Sequence, residues 1–144
     1  MRVLVIHGPN LNLLGERQPE IYGTQTLADI DAALLNEGKR LGIDIRSTQE
    51  NAEGAIIDAL HAARNEYDGV IINPGAYAHY SYAIRDAITA IGIPTIEVHL
   101  SNIAAREGFR HASVTAGACR GVVSGLGGTG YALALRALAS TEKR

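Results

Sequence analysis

Three short stretches of this chain carry side chains suited to proton transfer. Asn10, Asn12, Arg17 and Tyr22 stand in the first, Asn73 and His79 in the second, and Glu97, His99, Ser101 and Asn102 in the third. Taken singly, an Asn behind a strand is a turn former or helix cap, and a lone His is a hydrogen-bonded structural residue. Their common placement is what points to chemistry. Each stretch follows an apolar run of strand length, and in open α/β sheets the ligand crevice lies outside the carboxyl ends of the strands.

Tyr, His and Arg together suggest acid-base work on a small polar substrate. An ordinary phenol, with a pKa of about 10, is ionised only about once in a thousand at pH 7, so Tyr22 serves as a base only where a cation favours its phenolate. Arg17 lies five residues earlier in the same stretch. A unit charge about 4 Å away, in an effective dielectric near ~20, is worth roughly 4 kcal/mol; at about 1.36 kcal/mol per pKa unit, one guanidinium covers the ~2 to 3 units required. His99 is then the general acid. Glu97, two residues earlier on the same strand face, is the group that orients or tunes it.

Absences narrow the chemistry further. Lysine occurs only at Lys39 and Lys143, away from the three stretches, which argues against Schiff-base catalysis. No Gly-x-Ser-x-Gly elbow is present. Glu97, His99 and His79 are the conceivable metal ligands, but no His-x-x-x-His or similar compact set accompanies them, so no metal is expected. Cys119 is the only cysteine, which excludes an internal disulfide and a thiolate zinc site within one chain. The run from Gly125 to Gly130 fits Gly-x-Gly-x-x-Gly, yet only fourteen residues come after it. That is too few for the second strand and ribose-binding acid of a dinucleotide site, so the run reads as a tight turn that lets the last helix pack closely.

The elements that must carry these residues alternate between strand-length apolar runs and helical periods, the pattern of a parallel sheet with crossover helices. Strands are expected at 3–6, 43–48, 69–72, 95–99 and 121–124, with 43–48 near a sheet edge because Asp44 and Arg46 alternate with Ile43 and Ile45. Helices are expected from Thr26 to Gly42, over 53–65, from about Ser81 to before Gly92, and over 131–139; Thr26 and Asp29 offer a capping box. Long loops are expected at 7–25 and 101–120. With 144 residues, 47% of them hydrophobic, the chain reads as a single catalytic domain spanning 1–144. Its net charge of -2 provides no basic field for nucleic acid or an anionic membrane. The apolar opening is four residues long, too short for a signal peptide or membrane span, so a soluble cytoplasmic protein is expected.

At these residues the sequence resembles the type II 3-dehydroquinate dehydratases, over nearly its whole length. The likeness rests on four ordered blocks: His7 to Arg17 with Tyr22-Gly23; Asn73-Pro74-Gly75-Ala76 with His79 and Arg85-Asp86; Glu97 to Asn102; and Arg106-Glu107 with Phe109-Arg110. The resemblance implies a flavodoxin-like three-layer sandwich, its five-stranded parallel sheet ordered 2-1-3-4-5, assembling into a homododecamer built from trimers. It also implies reversible anti elimination of water from 3-dehydroquinate to 3-dehydroshikimate through an enolate, without metal or organic cofactor. By the same resemblance Tyr22 takes the proton beside the ketone, Arg17 stabilises the charged forms, His99 protonates the departing hydroxyl, and Asn10 holds the site around the tyrosine. Asn73, His79 and Arg110 bind substrate hydroxyls, the backbone N–H groups of Leu100 and Ser101 receive the carboxylate as a helix-start anion site, and Asp86 reaches a neighbouring subunit's site. Gly15, Pro19 and Gly23 suggest a loop that closes over the substrate.

Two positions depart from the family pattern. Gln18 stands where Glu is common, removing a loop charge, and His7 stands where Asn is often found; no role is assigned to it. The competing reading is a flavodoxin-like module that binds a nucleotide or flavin. It requires a Gly-rich phosphate loop after the first strand, and the segment holding Asn10, Arg17 and Tyr22 does not supply one.

Overall fold

Val3, Leu4, Val5 and Ile6 point alternately to opposite faces of the first strand, and all four are buried, because helices cover both sides of it. The computed structural model describes residues 1–141. Its strands are β1 (Arg2–His7), β2 (Asp44–Gln49), β3 (Gly69–Asn73), β4 (Thr95–His99) and β5 (Gly121–Ser124). They form one parallel sheet ordered β2-β1-β3-β4-β5, as the resemblance implies. β2 is an edge strand, and Ile45 is buried between exposed Asp44 and Arg46, which explains its alternating sequence.

Among the described residues five α-helices accompany the sheet: α1 (Pro19–Tyr22), α2 (Leu27–Leu41), α3 (Glu53–Glu66), α4 (Tyr82–Ile91) and α5 (Thr129–Thr141). α2 and α5 cover one face, where Ile30, Leu34, Leu135 and Leu138 pack on Val3, Val5, Ile71 and Val98. α3 and α4 cover the other, where Ile56, Leu60, Ile84 and Ile88 pack on Leu4, Ile6, Val70 and Ile72. Each such fully buried aliphatic contributes about 1.5–3 kcal/mol of transfer free energy. α2 begins with the expected capping box, Thr26 accepting from the Asp29 N–H while the Asp29 carboxylate accepts from the Thr26 N–H, and ends on Gly42 at φ +72°.

The irregular segments are more ordered than their sequence suggests. The loop read at 7–25 contains a 3-10 turn at Leu11–Leu13 and the single-turn helix α1, and the loop read at 101–120 contains 3-10 turns at Ile103–Ala105, Gly108–Arg110 and Ala116–Ala118. One-turn elements are too short to leave a hydrophobic period. α5 starts two residues before the expected Tyr131. The Gly125–Gly130 run behaves as expected of a tight turn: a Cβ on Gly130 would sit 3.3 Å from Val123 and 3.4 Å from Val98, so glycine lets the helix approach the sheet. Lys143 lies outside the described residues, and no described helix is long and apolar enough to cross a membrane.

The connections out of β1 and β3 run to opposite sides, since β2 lies beside β1 on one flank and β4 beside β3 on the other. The connections leaving the carboxyl ends of β1 and β3 therefore part at the topological switch point, where a crevice opens. His7 and Asn73 are register partners there. Gly8 comes so close to the neighbouring strand end that a Cβ would lie 2.7 Å from the Asn73 carbonyl oxygen, and its own N–H donates to that oxygen at 2.8 Å.

Candidate active site

A cleft of about 120 Å³, lined by both polar and apolar side chains, opens at this switch point. Asn10, Arg17, Tyr22, Asn73, His79 and His99 all line it, so the three separate stretches do converge. Leu100, Ser101 and Arg110 line it as well. Among the other residues singled out from the sequence, Glu97 stands behind His99 rather than in the cleft, and Asn12 and Asp86 are outside its lining. Asp86 sits on α4, away from this chain's own cleft.

One wall is built on β4. Glu97 and His99 are two residues apart in a strand, hence on one face, and both are buried. His99 Nε2–H donates to Glu97 Oε2 at 2.9 Å, which leaves Nδ1 as the ring nitrogen not engaged by the carboxylate. Ser113 Oγ–H donates to the same oxygen at 2.7 Å, and the Thr115 hydroxyl donates to Oε1. Burial alone would raise the Glu97 carboxyl, but the hydrogen bonds from His99, Thr115 and Ser113 together outweigh it and hold the group below the usual carboxylate range. A buried anion with this many donors is a fixed negative charge beneath the imidazole.

The opposite wall is a surface segment. Gln18, at φ +40°, caps α1, and the single turn delivers Tyr22 half-buried at the cleft edge before Gly23 ends it at φ +77°. Two guanidinium groups converge on its phenol. Arg106 Nη1 donates to the Tyr22 oxygen at 2.8 Å and Arg17 Nη2 reaches it at 3.5 Å, while the two guanidinium carbons lie 5.2 and 4.7 Å from the ring centroid. The cation expected from sequence, Arg17, is therefore the weaker donor to the phenol, and Arg106 is the one nearer its oxygen, although Arg17 lies nearer the ring centroid. Arg106 was legible only as part of a family block. Nothing in its spacing from Tyr22, eighty-four residues away, connects the two. His111 Nε2–H donates to the Arg106 carbonyl at 2.7 Å and steadies its backbone, and the buried Arg106 Nε makes no hydrogen bond among the described residues.

The remaining groups fill the floor and flank. Asn10 takes a left-handed backbone, φ +68°, which Asn tolerates better than most residues, and its N–H donates to Asn51 Oδ1 at 3.0 Å. His79 Nδ1–H donates to the Ala112 carbonyl at 2.9 Å, so Nε2 is the ring nitrogen left for the cleft, without a hydrogen-bond partner among the described residues; the ring stacks on His99 with centroids 6.3 Å apart. Arg110 donates Nε–H to Glu107 at 2.9 Å and lies over the Phe109 ring. Leu100 and Ser101 line the cleft, but the structure corrects their description as the start of a helix. The next element is a three-residue 3-10 turn capped by Asn102, and a single short turn has almost no aligned peptide dipole to offer an anion.

Comparison with known proteins assigns the chain to a family. The family model for dehydroquinase class II matches residues 1–139. A 3-dehydroquinate dehydratase from Pelotomaculum thermopropionicum is 56% identical over 140 residues, 97% of this chain and 97% of the relative. One from Desulforudis audaxviator is 54% identical over 144 residues, 100% of this chain and 96% of the relative. The crystal structure of type II dehydroquinase from Butyrivibrio crossotus superposes with a TM-score of 0.94 at 48% identity, covering 96% of this chain and 97% of that one. Family model, full-length relatives and fold agree, and the chain belongs to the class II dehydroquinases.

Proposed function

We propose that this chain, as a single catalytic domain, dehydrates 3-dehydroquinate to 3-dehydroshikimate by anti elimination through an enolate. The observation that carries the reading is a phenol oxygen met by two guanidinium groups on one side of a small cleft, with a carboxylate-backed imidazole on the other. Tyr22, as phenolate, takes the proton from the carbon beside the ketone. The electron pair moves into a C=C bond and the carbonyl oxygen becomes the enolate oxygen, held with the help of Asn10. The enolate then collapses, the carbon–hydroxyl bond breaks, and His99 delivers its Nδ1 proton so that water leaves. His99 ends neutral with Nε2–H still on Glu97, whose negative charge supports the imidazolium that preceded it. Arg17 and Arg106 stabilise the charged tyrosine before the first transfer.

Asn73, His79 and Arg110 bind substrate hydroxyls, and the Leu100 and Ser101 N–H groups take the carboxylate. Neither step calls on a metal or organic cofactor. Asp86, outside its own cleft, completes a neighbour's site in a homododecamer of trimers, and exposed Tyr80, Tyr82 and Phe109 leave apolar surface for such contacts. The proposed setting is the cytoplasm, where a lone thiol such as Cys119 stays reduced. The test is direct: purified protein mixed with 3-dehydroquinate produces a rising ultraviolet absorbance from the conjugated enone. A flat trace overturns the reading.

A further inference from the structure

β1 and β2 pair in parallel register as far as His7 and Gln49, and the Glu50 N–H closes the ladder by donating to the His7 carbonyl at 2.8 Å. Beyond that point the β1 side cannot continue the pairing through its backbone. Gly8 gives its N–H to the Asn73 carbonyl on the opposite flank, Pro9 has no N–H, and Asn10 turns into the left-handed region at φ +68°. Side-chain amides from the end of β2 take over. Gln49 Nε2 donates one proton to the Gly8 carbonyl at 3.1 Å, and Asn51 Oδ1 accepts from the Asn10 N–H at 3.0 Å. The other proton of Gln49 Nε2 goes to the same Asn51 oxygen, also at 3.0 Å.

The directions of these bonds are set by the backbone. A carbonyl only accepts and a peptide N–H only donates, so turning either amide over would set like against like. An N–H followed by a C=O is what one more peptide of β2 would offer, and the two side chains imitate that missing rung. The corner that carries them is held from across the crevice as well. Tyr77, in the 3-10 turn Gly75–His79, donates its hydroxyl to the Asn51 carbonyl at 2.8 Å. Neither Gln49 nor Asn51 lines the cleft.

We propose that Gln49 and Asn51 are positioning residues: a paired amide clamp that grips the Gly8–Pro9–Asn10 turn and keeps Asn10 in the left-handed conformation with which it lines the cleft. A residue other than glycine enters that region against a steric penalty, and Asn10 makes no side-chain capping bond that would offset it. Without the clamp the turn relaxes toward right-handed or extended backbone, and the Asn10 amide leaves the place where the enolate oxygen forms. What Asn10 does there rests on the proposed dehydratase reading; what holds it does not.

The experiment compares wild type with Asn51→Ala, Asn51→Asp and Asn10→Gly. A carboxylate at 51 accepts from both N–H groups and preserves the clamp that alanine removes, while Asn10→Gly keeps the turn and deletes the side chain it positions. With 3-dehydroquinate, Asn51→Ala lowers kcat about tenfold with KM changed less than about threefold, and Asn51→Asp returns kcat to within about twofold of wild type. In an Asn10→Gly background, Asn51→Ala produces no further fall, since its effect runs through Asn10. Wild-type kcat in folded Asn51→Ala protein, a further fall in the double variant, or an Asn51→Asp enzyme as slow as Asn51→Ala overturns the proposal. A second readout is independent of turnover: hydrogen exchange at the Asn10 amide, resolved by mass spectrometry with fragmentation, quickens about tenfold in Asn51→Ala and stays at the wild-type rate in Asn51→Asp. A flat enzymatic trace from wild type would sink the dehydratase reading and leave the exchange result standing. An Asn10 amide indifferent to Asn51→Ala would sink the clamp.

Discussion

The two walls of the cleft are made by different means. The His99 wall is a core strand whose imidazole rests on a buried carboxylate, itself held by two further hydroxyls from the segment at 113–115. The Tyr22 wall is one helical turn between two positive-φ residues; its ring packs at the edge of the core, and among the described residues its phenol oxygen is held by two arginines. The first is rigid because leaving Glu97 unsatisfied would be expensive. The second rests on fewer buried contacts, and in the proposed reaction a segment that admits substrate and then excludes water benefits from that. In the proposed mechanism the acid is therefore preorganised by the fold, and the base is assembled by the segment.

The largest effects come from removing either reacting group, and their comparison separates the walls. His99→Ala and Tyr22→Phe are each expected to lower kcat at least ~100-fold, measured by enone absorbance. Only His99→Ala should also cost stability, by about 1–3 kcal/mol in denaturant titration, because it removes a donor from a buried carboxylate. Equal losses of stability in the two variants would erase the distinction between a core wall and a surface wall.

A smaller effect tests the support behind His99. Thr115→Val keeps the shape and deletes one donor to Glu97, so about 1–3 kcal/mol of stability at pH 7 should disappear. The pH dependence has a definite sign. Glu97 ionises below its ordinary value of 4.5 in the folded protein, so its contribution is complete above that pH and is lost as pH falls through the lowered folded value. The variant, lacking one of the bonds that lowers it, gives up this stability at a higher pH than wild type. The gap between them then narrows once both are protonated. Unfolding midpoints at pH 7, 5, 4 and 3 would check this. A gap independent of pH would mean that Thr115 acts by packing alone.

The same contrast explains what the sequence made legible. The strands, the capping box and the edge character of β2 were readable because burial on two faces, or on one, writes a period into the residues themselves. The rule that the crevice lies outside the carboxyl ends of the strands pointed to Asn73 and His99, and both do end core strands and line the cleft. The surface turn α1 left no period, being one turn long. Arg106 was hidden because its partner Tyr22 is brought to it by tertiary folding alone. Asp31 and Tyr131, which hydrogen-bond the two ring nitrogens of His7, drew no reading as its partners, and His7 was assigned no role. Each is half of a pairing between elements that lie far apart in the chain, and local patterns do not encode such pairings.

The smallest expected effect is a chemical probe of the rigid wall that leaves the reacting groups intact. Cys119 sits directly behind the Glu97 nest, its thiol donating to the Thr115 carbonyl at 3.5 Å. Burial chiefly, and the nearby Glu97 charge in addition, push that thiol up to about 12. At pH 7.5 fewer than roughly one such thiol in ten thousand is ionised, and thiolate is the reactive form. Native protein should therefore label very slowly with a thiol reagent, and denatured protein fast. Thr115→Val, which loosens the nest, should quicken labelling several-fold, whereas Tyr22→Phe on the facing segment should leave it unchanged. Faster labelling in Tyr22→Phe would mean that the two walls move as one body, and that the acid side is not held independently of the segment that delivers the base.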